Sequence, residues 1–114
     1  AAVPVLYFAG ALVGGRGAGL IAALFTAHDF DAVYHFAALI AVGESVEAPD
    51  LYYRNNVTGT LNLLDAMRVA GVDRFVFSST AAIFGNPQTD LIAEDHPKAP
   101  LNPYGRSKLM IEQY

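Results

Sequence analysis

Tyr104 and Lys108 are the residues whose types and spacing most directly suggest catalysis in this chain. Residues four positions apart share one face of a helix, with their Cβ atoms about 6 Å apart. A free tyrosine is a poor base at neutral pH because its pKa is about 10, and a nearby ammonium favours the phenolate form. Such a pair could take a proton from a hydroxyl group. Taken alone the spacing is weak evidence, because an exposed helical pair shows it by chance.

A run of hydroxyl side chains, Ser78, Ser79 and Thr80, follows the apolar residues of a predicted strand. Ligands bind outside the carboxyl ends of the strands in open parallel α/β sheets. A run of this kind could equally cap a turn. Because Asn-Pro-Tyr-Gly-Arg-Ser-Lys follows at 102–108, we interpret the two segments as parts of one site.

Alternating strand and helix patterns must position these residues. Strands are predicted at 3–8, 31–36 and 74–78, and helices at 20–26, 52–70 and 103–114. Segments 40–50 and 86–100 are predicted loops, the first with a helical turn near Ser45. Asn102 and Pro103 fit the start of the last helix, and Gly71 fits the end of the long one. This order predicts an α/β fold, a doubly wound parallel sheet with flanking helices.

The predicted helix at 52–70 carries a stripe of apolar residues at steps of three and four. Its members are Tyr53, Val57, Leu61, Leu64 and Met67. Such spacing is typical of a helix that buries one face. This segment is therefore the most clearly predicted helix of the chain.

The composition limits the function classes. Apolar residues make up 54% of the 114, which favours strands buried on both faces, including the strand at 74–78. The net charge is −4 with no basic stripe, so we expect no nucleic-acid partner and no membrane partner. The chain has no cysteine, which excludes disulfides and thiolate metal sites; we predict no metal and a location in the cytoplasm.

Five segments resemble the extended short-chain dehydrogenase/reductases, and among them the UDP-glucose 4-epimerases. The matching segments are His-Phe-Ala-Ala at 35–38, Ala-Val-Gly-Glu-Ser-Val at 41–46, Tyr-Tyr-Arg-Asn-Asn-Val-Thr-Gly-Thr at 52–60, Phe-Val-Phe-Ser-Ser-Thr at 75–80 with Phe84-Gly85, and Pro-Tyr-Gly-Arg-Ser-Lys-Leu-Met at 103–110. They follow one another in the family's order over 31–114. The run at 41–46 followed by that at 52–60 is far more specific than the Tyr-Lys spacing.

The resemblance implies a set of catalytic roles. Tyr104 would take the proton from the sugar 4-hydroxyl, Lys108 would hold the ribose of NAD and favour the Tyr104 phenolate, and Thr80 would hydrogen-bond the 4-oxygen. Hydride would pass from C4 to NAD, and the 4-keto sugar would turn over and take it back on its other face. UDP-glucose and UDP-galactose would thereby interconvert.

The resemblance also implies a cofactor-binding set. Its members are Phe36, Ala37, Ala38, Asn56, Ser78, Ser79, Tyr104 and Lys108. His35 lies in an apolar strand, where a histidine is more often a hydrogen-bonded core residue than a catalyst. We therefore expect His35 to be structural.

The resemblance further implies that 1–114 is an incomplete NAD-binding Rossmann domain, without the first βαβ unit and the carboxyl-terminal substrate domain. Gly10-Ala11-Leu12 then stands where the family's third strand ends in Gly-Asp-Leu or Gly-Asp-Ile. The alternative is a degenerate pyrophosphate turn at 14–19. The segment alone should be inactive and should bind NAD weakly or not at all.

Three functional interpretations stay open at this stage. The first is a 4-epimerase segment with a UDP-sugar substrate, and a homodimer is expected from the family. The second is another nucleotide-sugar epimerase or a 4,6-dehydratase, although dehydratases place Asp-Glu where Ala81 and Ala82 follow Thr80. The third is an inactive truncated remnant.

Overall fold

The computed structural model describes residues 5–7, 21 and 23–114. In chain order the elements are strand β1 (Val5–Tyr7), helix α1 (helical at Ile21 and 23–27), strand β2 (Ala32–His35), helices α2 (Val42–Glu47) and α3 (Pro49–Tyr52), a π-helix (Tyr53–Thr58), helix α4 (Gly59–Ala70), strand β3 (Phe75–Phe77), a 3₁₀-helix (Ala81–Phe84) and helix α5 (Pro103–Glu112). The Gly-rich segment at 10–19 lies outside the described residues, so both interpretations of it remain predictions.

The three strands form a parallel sheet in the order β1-β2-β3. In register, Val33 lies beside Phe75 and His35 beside Phe77. Because the strands are parallel and aligned, the residues that follow β2 and those that follow β3 leave the sheet at the same edge. The predicted α/β class with a parallel sheet and flanking helices is confirmed. Strands β2 and β3 are shorter than predicted, and residues 3, 4 and 8 of the first predicted strand lie outside the described residues.

The hydrophobic core lies between the sheet and the helices α1 and α4. Its buried members are Ile21, Phe25, Val33, Leu63, Met67 and Val72. Phe25 also contacts Phe30 edge-to-face, with ring centroids 5.5 Å apart. This core anchors α4 over β2 and thereby fixes the long helix against the sheet.

The prediction that the third strand is buried on both faces is wrong. Val76 is 45% exposed, and Phe75 and Phe77 are half-buried. Helix α4 packs on the face that carries Val33, and Lys108 of α5 lies over Phe77 on that same face. The composition predicted that β3 is apolar. It did not predict that the described helices would cover only the Phe77 face of this strand and leave the Val76 face exposed.

The prediction of a loop at 40–50 is wrong for most of its length, because α2 and α3 occupy it, whereas the helical turn predicted near Ser45 is confirmed by α2. The Ser45 hydroxyl donates to the Val42 carbonyl at 2.6 Å, and Pro49 begins α3 with the backbone angle that a first helical turn needs. Short polar helices of this kind lack the long apolar periodicity from which helices are predicted.

The buried face of the long helix differs from the predicted apolar stripe. The buried residues include Tyr52, Asn55, Asn56, Gly59, Thr60, Leu63 and Met67, whereas Tyr53, Val57, Leu61 and Leu64 are half-buried. Hydrogen bonds satisfy the polar groups of Tyr52, Asn56 and Thr60, whereas the buried Asn55 Oδ1 atom has no hydrogen-bond partner among the described residues. Apolar periodicity does not detect buried polar residues of either kind.

Both predicted helix ends are confirmed. Gly71 follows α4 in the left-handed conformation, with φ of 73°, and the Asn102 side chain accepts a hydrogen bond from the Gly105 N–H at 2.8 Å. Helix α5 ends at Glu112 rather than at 114. No helix among the described residues is both long enough and apolar enough to cross a membrane.

Candidate functional site

Helix α5 presents Tyr104 and Lys108 one turn apart on a buried face. Tyr104 is 9% exposed and Lys108 is 2% exposed. The start of the helix is fixed by the Asn102 cap and by Pro103 in the first turn. The predicted pairing of a phenol and an ammonium on one helix face is therefore present, and both groups are largely removed from bulk water.

The Lys108 ammonium lies at the carboxyl end of β3. Its Nζ donates a hydrogen bond to the Ser78 carbonyl oxygen at 2.7 Å and lies 4.6 Å from the centre of the Phe77 ring. Burial lowers the pKa of Lys108 from its ordinary value. An ammonium has three N–H donors, so two remain for a ligand after the bond to Ser78.

The 3₁₀-helix that follows Thr80 packs directly against α5. The Thr80 side-chain oxygen accepts a hydrogen bond from the Ala82 N–H at 3.2 Å. A Cβ atom added at Gly105 would lie 2.6 Å from the Ala82 carbonyl oxygen. The backbone beside Tyr104 therefore touches the turn that Thr80 begins, which brings these two predicted site segments together.

Asn56 links the segment after β2 to α5. Its Nδ2 group donates to the Leu39 carbonyl at 3.0 Å and to the Ser107 hydroxyl at 3.2 Å. Its Oδ1 atom accepts from the Leu39 N–H and from the Asn55 side chain, both at 2.9 Å. These four bonds use the full capacity of a primary amide. The structure therefore gives Asn56 a bracing role; its contact with a cofactor stays a prediction.

His35 is a buried core histidine, as predicted, with 3% of its surface exposed. Its Nε2 atom lies 2.8 Å from the Thr60 hydroxyl oxygen, and that hydroxyl donates to the Asn56 carbonyl at 2.6 Å. Because the Thr60 hydroxyl hydrogen is already donated to the Asn56 carbonyl, the Nε2 atom of His35 must carry the ring hydrogen and donate it to Thr60. The Nδ1 atom therefore carries no hydrogen. Burial, with a smaller contribution from Lys108, lowers the pKa of His35 to about 4, so the ring is neutral at pH 7.

A tyrosine–glutamate contact near the site was not predicted from the sequence. The Tyr52 hydroxyl lies 2.7 Å from a Glu44 carboxylate oxygen and 2.7 Å from the Ala41 carbonyl. Burial, followed by the hydrogen bond to Glu44, raises the pKa of Tyr52 to about 12, and Tyr104 contributes electrostatically. The only sequence signal was that Glu44 and Tyr52 both lie in segments that resemble the 4-epimerases.

The end of β2 supplies the predicted Phe36, Ala37 and Ala38. Phe36 is 57% exposed, and the two alanines are half-buried. The half-buried Ser79 follows β3 at the same sheet edge. Hence all the predicted cofactor-binding positions except Asn56 lie at, or on the helix packed against, the carboxyl edge of the sheet. Across the part of the chain that the structure describes, no group of three or more potential ligands could hold a metal ion.

Two surface clefts lie elsewhere. One, of about 380 Å³, is bordered by Phe25 and Thr26 of α1 and by five residues of α4, namely Asn62, Asp65, Ala66, Val69 and Ala70. The other, of about 370 Å³, surrounds Met67 and Val72. Neither has a lining residue in common with the predicted catalytic or cofactor-binding set.

Comparison with known proteins places this geometry in a family. The model of the family described as GDP-mannose 4,6 dehydratase matches residues 16–114. UDP-glucose 4-epimerase 2 of Oryza sativa subsp. japonica is 50% identical over 97 residues, which are 85% of this chain and 24% of that protein. UDP-glucose 4-epimerase of Bacillus subtilis is 52% identical over 90 residues, 79% of this chain and 26% of that protein. The chain thus spans about a quarter of the length of the curated relatives it matches.

Solved structures agree with the sequence relatives. UDP-glucose 4-epimerase from Bifidobacterium longum, solved in complex with NAD⁺ and UDP, superposes with a TM-score of 0.85 at 42% identity, covering 96% of this chain and 32% of that one. The likeness confirms the predicted partial Rossmann-like fold. Because the family model matches residues 16–114 of this chain and the fold agrees, the chain belongs to the GDP-mannose 4,6-dehydratase family, within which it is similar to UDP-glucose 4-epimerases.

Proposed function

We propose that the full-length protein that carries this chain is an NAD-dependent UDP-glucose 4-epimerase, which interconverts UDP-glucose and UDP-galactose through a 4-keto sugar. The observation that carries the proposal is the position of Lys108, with Nζ 2.7 Å from the Ser78 carbonyl at the carboxyl end of β3. That contact docks the helix that bears Tyr104 at the edge where open α/β sheets bind ligands.

In this proposal Tyr104 is the base that takes the proton from the sugar 4-hydroxyl and returns it. Lys108 supplies a fixed positive charge on the same helix face, which favours a negative phenolate oxygen. Thr80 directs its hydroxyl toward the 4-oxygen and keeps it oriented during proton transfer. Tyr104 can act as the base because its buried side chain is held in place, and Lys108 can act as the fixed cation because strand β3 anchors it.

The residues at the sheet edge fit a dinucleotide. Ala37 and Ala38 are small and half-buried, so backbone at the end of β2 can be approached closely, and Lys108 retains two N–H donors after its bond to Ser78. NAD, when bound, supplies the hydride acceptor and donor. We propose that Phe36, Ala37, Ala38, Ser78, Ser79, Tyr104 and Lys108 line its site, with Asn56 holding the segment after β2 in place.

The proposal competes with two alternatives. A 4,6-dehydratase needs an acid and a base for the loss of water, yet the residues after Thr80 are Ala81 and Ala82, which disfavours that reaction. An inactive remnant would keep the fold without the chemistry. The relatives with about 50% identity are named as 4-epimerases, which favours the epimerase over both alternatives.

The main test is the change Tyr104→Phe in the full-length protein, which removes the proposed base and little volume. We expect epimerisation of UDP-galactose to fall by about three orders of magnitude, since general base catalysis contributes on the order of 10²–10⁴. The measurement is turnover of UDP-galactose to UDP-glucose together with retention of NAD.

Tyr114→Phe is the matched control, because Tyr114 follows α5 and is 80% exposed. It should leave turnover unchanged. Near-normal turnover in Tyr104→Phe would refute the role of Tyr104, and failure of the unmodified full-length protein to bind NAD in a thermal-shift titration would instead support the inactive remnant.

We further propose that the full-length protein is a homodimer in the cytoplasm. The family resemblance and the absence of cysteine from the chain support these two points. Sedimentation equilibrium of the full-length protein should give twice the monomer mass, and cell fractionation should recover it in the cytoplasmic fraction. A monomer mass or a different compartment would refute the corresponding point.

A further inference from the structure

Three aromatic side chains form a compact cluster on the face of the sheet that Lys108 covers. The ring centroids of His35, Phe75 and Phe77 lie 5.9–6.2 Å apart in all three pairs, with planes inclined by 11–29°. The register of the parallel strands produces this cluster, because His35 and Phe77 are paired neighbours on β2 and β3. The cluster therefore belongs to the sheet itself.

The Phe77 ring presents its face to the Lys108 Nζ atom at 4.6 Å. An ammonium within about 6 Å of a ring centre is attracted by the negative face of the ring, and the attraction grows as water is removed. Lys108 is 2% exposed. In the part of the chain that the structure describes, Lys108 forms no salt bridge. The Phe77 face and the Ser78 carbonyl are thus its two identified protein partners.

The two partners of Lys108 are adjacent in sequence and are fixed by the same neighbour. The Ser78 N–H donates to the His35 carbonyl at 3.1 Å, while the His35 ring supports the Phe77 ring from the side. His35 can serve in this way because it is neutral at pH 7; a charged ring would add a second cation below the first. The strand end therefore offers the ammonium one carbonyl and one ring face at set positions.

We propose that Phe77 is a positioning residue, whose ring face holds the Lys108 ammonium against the Ser78 carbonyl and so places it for Tyr104 and the ligand. The expected effect of Phe77 on kcat rests on the proposed function, whereas the contact between Phe77 and Lys108 is present in the structure itself. Phe77 touches neither substrate nor cofactor in it. Its effect passes through Lys108.

The test compares Phe77→Leu with Phe77→Tyr in the full-length protein. Leucine keeps an apolar side chain but has no ring face, whereas tyrosine keeps the face. We expect Phe77→Leu to lower kcat about ten-fold, a size that fits loss of a largely desolvated cation–π contact, with KM changed less than about two-fold. Phe77→Tyr should retain most of the kcat of the unmodified protein.

A spectroscopic arm tests the contact without any activity. In ¹³C-lysine-labelled full-length protein, the Lys108 ε-methylene signals, assigned by their loss in Lys108→Arg, should be shifted upfield by the ring current. They should move downfield in Phe77→Leu and stay in Phe77→Tyr. Lys98, which pairs with Glu112 at 2.6 Å, provides the unshifted reference signal.

The outcomes separate the two proposals. Unshifted Lys108 signals in the unmodified protein, or equal loss of kcat in both Phe77 variants, would overturn the role of Phe77. Shifted signals that respond to Phe77→Leu in a protein without epimerase activity would support the contact while refuting the proposed function.

Discussion

The helical segment 49–70, called the long helix here, has two halves: residues 49–58 and helix α4. Each half buries one face by different chemistry. Residues 49–58 bury Tyr52 and Asn56 through hydrogen bonds to the segment after β2 and, from Asn56, to α5, and this half contains the π-helical turn. Helix α4 buries Leu63 and Met67 in the apolar core. Hydrogen bonds fix direction as well as distance, whereas apolar contact is non-directional. The polar half is therefore suited to place the site, and the apolar half to hold the fold together.

Among the changes that test this comparison of the two halves, the largest effect is expected from Asn56→Leu in the full-length protein. The change removes four hydrogen bonds, each contributing on the order of 1 kcal/mol, so unfolding free energy should fall by about 4 kcal/mol. Turnover should also fall about 100-fold, because the support of α5 at Ser107 is lost. Asn62→Leu, the same change at a half-buried position of α4, should leave turnover intact. Urea denaturation and kcat measure both effects; equal kcat values would contradict a polar half that places the site.

Leu63→Ala tests the apolar half. Leu63 is 0% exposed, and truncation of a buried leucine costs about 3 kcal/mol through lost burial and a residual cavity. Urea denaturation should show that loss, while kcat at 25 °C stays within about two-fold of the unmodified protein. Val69→Ala, at an 81% exposed position of the same helix, should change neither. A large fall in kcat for Leu63→Ala would erase the distinction between the halves.

The His35 ring contacts Thr60 where the two halves of the long helix meet, and acid should weaken this contact. Its pKa is about 4 in the folded state against 6.5 for an ordinary histidine, so the unfolded state binds more protons between these values. Stability present above pH 6.5 should therefore be lost as pH falls toward 4, by about 1–2 kcal/mol at pH 5. Urea denaturation at pH 8 and pH 5 measures the loss. His35→Gln should reduce it and the exposed-site change His28→Gln should not; an unchanged loss in His35→Gln would exclude His35 as its source.

The smallest effect is expected from Gly71→Ala at the end of the apolar half. Gly71 has φ of 73° with no atom within 4 Å of an added Cβ, so the cost is conformational alone. It should be about 1 kcal/mol. Gly43→Ala, where an added Cβ also meets nothing, is the matched control and should cost less. Thermal denaturation of the two variants measures the difference; equal midpoints would show that the left-handed end does not limit stability.

The sequence predicted those parts of the fold that depend on local signals. The Asn102 cap, Pro103 in the first turn and Gly71 at the helix end each act within a few residues, and all three were predicted correctly. The Tyr104 and Lys108 pair was found by spacing, and the strand-end position of Ser78, Ser79 and Thr80 linked it to that run. The family resemblance then added the role of Thr80. These features require no knowledge of what lies across the fold.

The failed predictions concern partners that are distant in the chain. Burial of Asn56 depends on Leu39 and Ser107, 17 and 51 residues away, so apolar periodicity selected the half-buried Val57 side of the helix instead. The Phe77–Lys108 contact likewise depends on the strand register and on how α5 docks. Helix α3 was missed, and α2 was predicted only as a helical turn near Ser45, because the two helices are four and six residues long and carry no repeated apolar pattern.

The contact between Gly105 and Ala82 affects how precisely the distance between the Tyr104 phenol and the end of strand β3 is fixed. Main chain meets main chain there with no side chain in between, as the 2.6 Å from an added Cβ to the Ala82 oxygen shows. Rotamer changes therefore cannot absorb an error at this junction, as they do where two side chains interdigitate. The separation of the phenol from the strand tip is governed by the stiffness of two backbones, and a substitution that adds a single methyl group at Gly105 would widen it.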